Sequence, residues 1–419
     1  MNRIQHLIRA YPRQFWLLVI GSLVSSTGGA MVWPFMSIYL RQTLDIPLTT
    51  VTLLMTFSSL MGLVSSFVAG SISDRYGRRI VMLISLFAGT IYYILLSFAS
   101  TLPVFAALMA FWGAMNMLYP VGANAMIADL VAVDRRTDAY ALVRVVHNTG
   151  VALGPIIGGF LTSGASYDTA FYCAAVAFAF FGLLTLFSIR ETVPNQTRAG
   201  SKSHSTAAPG PKRGYGIVLR DKAYMASMIS FMVTMMSASM VWMLLSVYAK
   251  ENYGVPERMY GFIVTINAVM CIFVQYPVTL ITRRKPTLPV LAVGALFYAA
   301  GVGSIALGTN FWAFALSMAI LTMGELIMSP TITTLVANLS PEDMRGRYMS
   351  ILNLTWPVAS AVGPVVGGLI NDNIAPVAIW LGGAIFGALG ALGYFLLSRR
   401  IRFDEFSVPG AETAAVQEA

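Results

Sequence analysis

The chain is 419 residues long, 57% hydrophobic and only 11% charged, with a formal net charge of +9 at pH 7. Soluble domains carry about 25% charged residues, so this composition excludes a globular cytosolic protein and requires a polytopic membrane protein. The basic excess would suit a nucleic-acid binder, but the positions of the Lys and Arg residues exclude that class as well.

Residues 1–13 are basic and run straight into an apolar segment of spanning length with no small-residue cleavage site, so the first helix is read as retained. Apolar segments separated by short polar turns then predict twelve spans: residues 15–40, 47–71, 79–99, 102–130, 138–162 and 168–189, followed by 222–248, 256–282, 286–307, 310–337, 343–370 and 374–397. Lipid supplies no hydrogen bonds to a backbone, so segments of this length crossing a core of about 30 Å are predicted helices. The predicted organisation is an all-α membrane protein: an N-terminal six-helix bundle over residues 1–190, a cytoplasmic linker over 191–221, a C-terminal six-helix bundle over 222–402 and a cytoplasmic tail over 403–419. Residues 195–214 are rich in Ser, Pro, Gly and Lys and read as a flexible tether.

With both termini placed in the cytoplasm, all 27 Lys and Arg residues fall on internal segments except Arg41, Lys250 and Arg258 outside and Arg144 within a span. Every internal segment satisfies the positive-inside rule, so the charge reports topology in a cell membrane, with lipid as neighbour and no nucleic-acid partner. Cys173 and Cys271 fall in spans of opposite halves and the three histidines show no ligand spacing, so neither a disulfide framework nor a metal site is predicted. The chain is read as a monomer.

The halves repeat. A shift of 209 positions places Met31-Val32-Trp33 on Met240-Val241-Trp242, Ser37 on Ser246, and Gly154-Pro155-Ile156-Ile157-Gly158-Gly159 on Gly363-Pro364-Val365-Val366-Gly367-Gly368. One register held across five spans is the mark of a duplication. Six helices per half make both copies enter from the same side, the parallel-repeat arrangement in which one half rocks against the other. The same shift sets Glu325 on Asn116.

Between the second and third spans lies Gly70-Ser71-Ile72-Ser73-Asp74-Arg75-Tyr76-Gly77-Arg78-Arg79. Its glycines, Gly70 and Gly77, permit a tight turn, and its charges can pair across the cytoplasmic face and separate when the halves part. The loop resembles the signature G-x-x-x-D-R-x-G-R-R of the major facilitator superfamily. The resemblance implies a two-bundle fold and a gate latch: Asp74 against the N-terminal end of the eleventh span around Met344 and Arg345, and Arg78 paired with Asp129. The simpler reading, charges that only satisfy topology, fits Arg75 and Arg79 better. The second copy reads Thr282-Arg283-Arg284-Lys285, without an acid, so the latch is expected to be asymmetric.

In the fifth span, Gly150, Gly154, Pro155, Gly158 and Gly159 let a neighbouring helix approach closely, and the proline bends the span. This resembles the fifth-helix motif of drug exporters in that superfamily, where it accompanies antiport. It recurs at Gly363 and Pro364, so it serves equally as a marker of the seam between halves. Glu325 is the only one of 18 acids deep in a span. A carboxylate at that depth needs a cavity or a partner and marks proton or substrate pathways; the bland alternative is a permanently protonated acid in a structural hydrogen bond. With Gly324, Pro330 and the following loop, Glu325 resembles the twelve-helix drug:proton antiporters, the LmrP-like multidrug exporters. The resemblance implies a proton site at Glu325, with protons as the coupling ion and no other cofactor. The chain departs from that group in the fourth span, where Met109 precedes Gly113 in place of an arginine.

Arg144 has two readings: a contact to an anionic substrate group or counter-charge to a carboxylate, and a side chain snorkelling to the interface. Methionines at three- and four-residue spacing in the seventh span, Met236 and Met240 among them, are candidates for a soft cavity wall, although such a stripe also serves packing. Trp33, Trp112, Trp242 and Trp356 are candidate stacking surfaces for a flat or cationic compound, and Asn116 completes the candidate cavity. The function these residues predict is secondary active transport by alternating access, with proton-coupled efflux of amphipathic drugs or lipophilic metabolites as the leading form. The alternatives are a nutrient importer or facilitator, a lipid flippase, and a non-transporting membrane sensor. No nucleophile-and-base constellation or Walker loop points to an enzyme or a primary pump.

Overall fold

The computed structural model describes residues 11–164, 166–192, 215–341 and 344–400, and every regular element among them is helical. The tether at 195–214, the tail at 403–419 and the basic residues Arg3 and Arg9 lie outside the described residues. Eleven helices are long and apolar enough to cross a membrane, and a bent pair, Glu257–Phe273 with Gln275–Thr282 at 55°, makes the twelfth span. In order the others are Arg13–Leu44, Leu48–Tyr76, Arg78–Leu96, Leu102–Leu130, Asp138–Ser163, Tyr167–Ser188, Lys222–Tyr253, Thr287–Ile305, Phe311–Leu339, Arg345–Asn373 and Ala378–Arg400.

Prolines place the breaks within these spans. Proline has no N–H for the carbonyl four residues earlier, so the helix loses a bond there and bends. Pro277 deprives Phe273, where the eighth span bends, and Pro120 deprives Asn116, where the fourth span divides into Leu102–Asn116 and Leu118–Leu130. Pro34 sits inside the 3-10 turn Trp33–Phe35 that interrupts the first span.

The two halves meet along two seams, the second span against the eleventh and the fifth against the eighth, and the contacts obey the 209-residue repeat. Ser37 and Ser246, one residue and its copy, share a hydrogen bond at 3.1 Å, and the Trp33 and Trp242 rings stand 6.0 Å apart. Thr56 Oγ1 donates to the Ala361 carbonyl at 2.8 Å, and Thr265 Oγ1 repeats that bond to the Ala152 carbonyl at 2.8 Å. At the end remote from the Arg-rich loops, each half caps the other. Asp372 accepts from Thr49 N at 2.8 Å, Thr49 Oγ1 at 2.7 Å and Leu48 N at 3.3 Å, while Ser163 Oγ accepts from Arg258 N at 3.1 Å. A carboxylate on a helix N-terminus completes free N–H groups and meets the positive end of the helix dipole. Glu257, buried here beside Lys250, accepts from Tyr167 OH at 2.7 Å, and Arg41 pairs with Glu251 at 2.7 Å. This end is therefore closed by polar bridges between the halves.

Asp372→Asn keeps the shape but removes the charge from three hydrogen bonds. We expect the closed outer end to lose about 1–2 kcal/mol, a roughly 5- to 30-fold change in its population. Spin-label distances between the outer ends of the second and eleventh spans would read this as a larger open fraction, and an unchanged distribution would show that the cap is idle.

Candidate functional site

Below that closure, a cavity of about 890 Å³ is walled by the first four spans of one half, the third through Tyr92 and Tyr93, by the seventh and eleventh of the other, and by Tyr215 of the short helix Tyr215–Arg220. None of its described wall residues is charged. Its lining combines Met36, Met55, Met109, Met117 and Met243 with Trp33, Trp112 and Trp356, and its polar groups are neutral, chiefly serines with Asn116 and Asn353. Trp112 is held by stacking on Tyr92, centroids 5.1 Å apart at 9°, and by the edge of Phe178 at 5.5 Å. Rings fixed from behind present a rigid face, whereas thioether chains adapt to different shapes.

Several expected site residues sit elsewhere. Met236 and Met240 do not line the cavity: Met240 is fully buried beside Gly367 and Gly383, and the Met236 backbone packs against Gly363. The seventh span is enclosed by its own bundle, so its methionine stripe fills the C-terminal core, and only Met243 reaches the cavity. Trp242 stands behind Trp33 and is not a wall residue. Arg144 is exposed on the fifth span, in electrostatic range of Cys271 and Glu325 but off the cavity wall. The N-terminal methionines that do line the cavity, Met36, Met55, Met109 and Met117, are spread over three spans, which leaves no continuous stripe to read.

Glu325 occupies the other seam. Gly324 lets the tenth span lie directly against the ninth, since a Cβ there would stand 2.8 Å from the Gly294 carbonyl, and this turns the next residue toward the eighth span. Half-buried, Glu325 accepts from Asn267 Nδ2 at 2.8 Å, and the same amide donates to Thr322 Oγ1 at 3.1 Å. Asn267 and Cys271 on the eighth span and Arg144 on the fifth flank the carboxylate, which therefore faces the junction between halves rather than hydrocarbon. Its copy, Asn116, lies in the cavity wall of the opposite seam.

At the Arg-rich end the charges stay within one half. Arg78 Nε stands 3.0 Å from Asp129 as an ion pair without hydrogen-bond alignment. Among the described residues Asp74 forms no ion pair with the eleventh span: it is largely exposed and pairs with Arg78, at 3.5 Å, at the end where the cavity, lined there by Phe67, Tyr215 and Ser350, lies between the second and eleventh spans. Glu191, which the sequence did not mark, accepts from Arg78 N and Arg79 N at 3.1 Å each and so caps the third span. Gly77, at φ 105°, supplies the left-handed turn that exposes those N–H groups, whereas Gly70 meets no neighbour within 4 Å and is not needed for it. The glycine motif divides its work. Gly150, Gly154 and Gly158 pack on the first span, with Pro155 between them, and Gly363 packs on the seventh. Gly159 instead meets Glu257 and Arg258 across the seam, as Gly368 meets Thr49, while Pro364 lies within the eleventh span.

Two duplicated helical bundles, bridged at one end and parted at the other around a central cavity, define a multi-pass membrane transporter. The Major Facilitator Superfamily model matches residues 18–236 and again 227–416, and the chain belongs to that family. It is 22% identical over 399 residues to a Na(+), Li(+), K(+)/H(+) antiporter of Planococcus maritimus, covering 90% of this chain and 92% of the relative. It is also 22% identical over 401 residues to the multidrug resistance protein MdtH of Yersinia enterocolitica, covering 94% and 97%. A crystal structure of a POT family transporter in complex with 5-aminolevulinic acid shares the fold, with a TM-score of 0.78 at 18% identity over 93% of this chain and 97% of that one.

Proposed function

We propose that this transporter exports amphipathic drugs or lipophilic metabolites from the cytoplasm in exchange for protons, with Glu325 as the proton-carrying group. The observation that carries the reading is the division of the two seams: one holds a methionine- and tryptophan-lined cavity without a charge among its described residues, the other a carboxylate midway along its length. A neutral apolar wall suits compounds that partition into lipid and disfavours zwitterionic or strongly polar nutrients, whose charges would stand unpaired. Likewise, a bare alkali cation would find no carboxylate in this cavity. The Arg-rich end is taken as cytoplasmic by the positive-inside rule, which makes this conformation open inward. Proton entry driven by a membrane potential supplies about 2.3 kcal/mol per charge per 100 mV, enough to move a substrate uphill without ATP.

The test is reconstitution into vesicles with an imposed pH gradient and a lipophilic fluorescent dye. Wild type should move the dye uphill, whereas Glu325→Gln, which keeps the Asn267 contact but cannot ionise, should lose uphill movement and retain exchange down a gradient. Uphill movement by the variant equal to wild type would remove Glu325 from the coupling.

A further inference from the structure

Pro330 lies four residues after Leu326, so the Leu326 carbonyl has no helical N–H to accept from. Gln275 fills that place from another span: its Nε2 donates to the Leu326 carbonyl at 3.0 Å and to Thr279 Oγ1 at 3.1 Å. Gln275 is also the first residue beyond the 55° bend of the eighth span. On the near side of the bend, Asn267 holds the Glu325 carboxylate at 2.8 Å. Two consecutive residues of the tenth span, one through its side chain and one through its backbone, are thus gripped from opposite sides of one bend.

We propose, resting on the assignment of Glu325 as the proton-carrying group, that Gln275 is the positioning residue that converts the protonation state of Glu325 into the angle of the eighth span. An ionised Glu325 accepts a charge-assisted bond from the Asn267 amide; a protonated one keeps only a weaker neutral acceptor and gains a donor of its own, so the near arm of the bend changes its hold. Since the Leu326 carbonyl is the neighbouring backbone group and has no other donor in its helix, the Gln275 arm stays attached while the Asn267 arm adjusts. The difference between the two arms is taken up at the break between Phe273 and Gln275, where Pro277 has already removed the helical bond to the Phe273 carbonyl. Gln275–Thr282, the Arg-rich-end piece of the eighth span, then swings relative to the fifth span and opens or shuts the cytoplasmic side of that seam. In the N-terminal half the second and fourth spans are bridged one residue before the copy of Gln275, by Ser65 Oγ donating to the Ala114 carbonyl at 2.6 Å.

The test compares Gln275→Leu, Pro330→Ala and the double variant in vesicles with the same dye. Gln275→Leu removes the donor; Pro330→Ala restores a backbone N–H to the Leu326 carbonyl. Gln275→Leu should keep dye exchange without a gradient within about 2-fold of wild type, lose at least 10-fold in uphill transport and shift the pH profile of transport. The double variant should regain thermal stability, because the carbonyl is satisfied again, but not uphill transport. Recovery of uphill transport in the double variant would reduce Gln275 to filling a carbonyl and overturn the proposal. Wild-type coupling in Gln275→Leu would overturn it too. If Gln275→Leu does not fold, the double variant carries the comparison, and Gln275→Asn, whose arm is too short, replaces it. Failure of the proton assignment itself would show separately, as uphill transport by Glu325→Gln.

Discussion

Valine at both Gly159 and Gly368 will hold the outer end of the transporter apart and stop transport while leaving each bundle folded. A Cβ on Gly159 would stand 2.5 Å from the Glu257 carbonyl, and one on Gly368 2.8 Å from Thr49 Cα, in both cases backbone of the other half. Overpacking of this kind costs about 1–3 kcal/mol per site, and here the strain is relieved simply by separating the halves. The penalty therefore falls on one conformation instead of on the fold. Gly158, one residue earlier, behaves differently: its Cβ would stand 2.1 Å from the Met31 carbonyl within the same half, so Gly158→Val should lower the melting temperature outright. Spin labels on the outer ends of the fifth and eighth spans should report a longer distance in the Gly159/Gly368 variant, with a melting temperature near wild type. A variant that still closes would show that the glycines only fill space.

That contrast marks where reading the sequence stops. The twelve helices and the duplication were legible because a bilayer allows no other backbone solution and because copies in one register keep their residue types. Breaks in the spans were legible in principle, each four residues before Pro120 or Pro277, or inside the turn that holds Pro34. Partners across the seam were not, since Asp372 and Thr49 are 323 positions apart and nothing local in either marks the other. The methionine stripe misled because helical spacing defines a face without saying what it faces. The Asp74 latch depends on which end of the molecule is open, a property of the conformation rather than of the chain.

The duplication also supplies a route by which the proposed proton carrier would act on a cavity that it does not touch. Symmetry-related seams begin with the same backbone, and here Asn116 and Glu325 hold equivalent places in them. One seam carries a neutral amide in the wall of a pocket of soft side chains, and the other an acid with its amide partner. Under the proposed proton coupling, rocking that moves both seams together would let a proton gained in one change the access of the other without sharing a binding site.

Arginine at position 109 will turn the cavity against cations. Met109 is a buried wall residue, at the place where the resemblance to drug exporters implies an arginine, and no charged residue among those described lines the space. A guanidinium about 5 Å from a bound cation, at an effective dielectric of about 20, costs roughly 3 kcal/mol, or on the order of 100-fold in affinity. Met109→Gln, of similar length and uncharged, separates charge from bulk. Lipophilic cations should lose about 100-fold in Met109→Arg but under about 5-fold in Met109→Gln, a neutral compound of the same shape should change little in either, and an anionic dye should gain. Binding titrations in detergent, followed by transport with each substrate, would read the pattern. Equal tolerance of cations by Met109→Arg and wild type would mean that the substrate binds somewhere other than between Trp112 and Trp356.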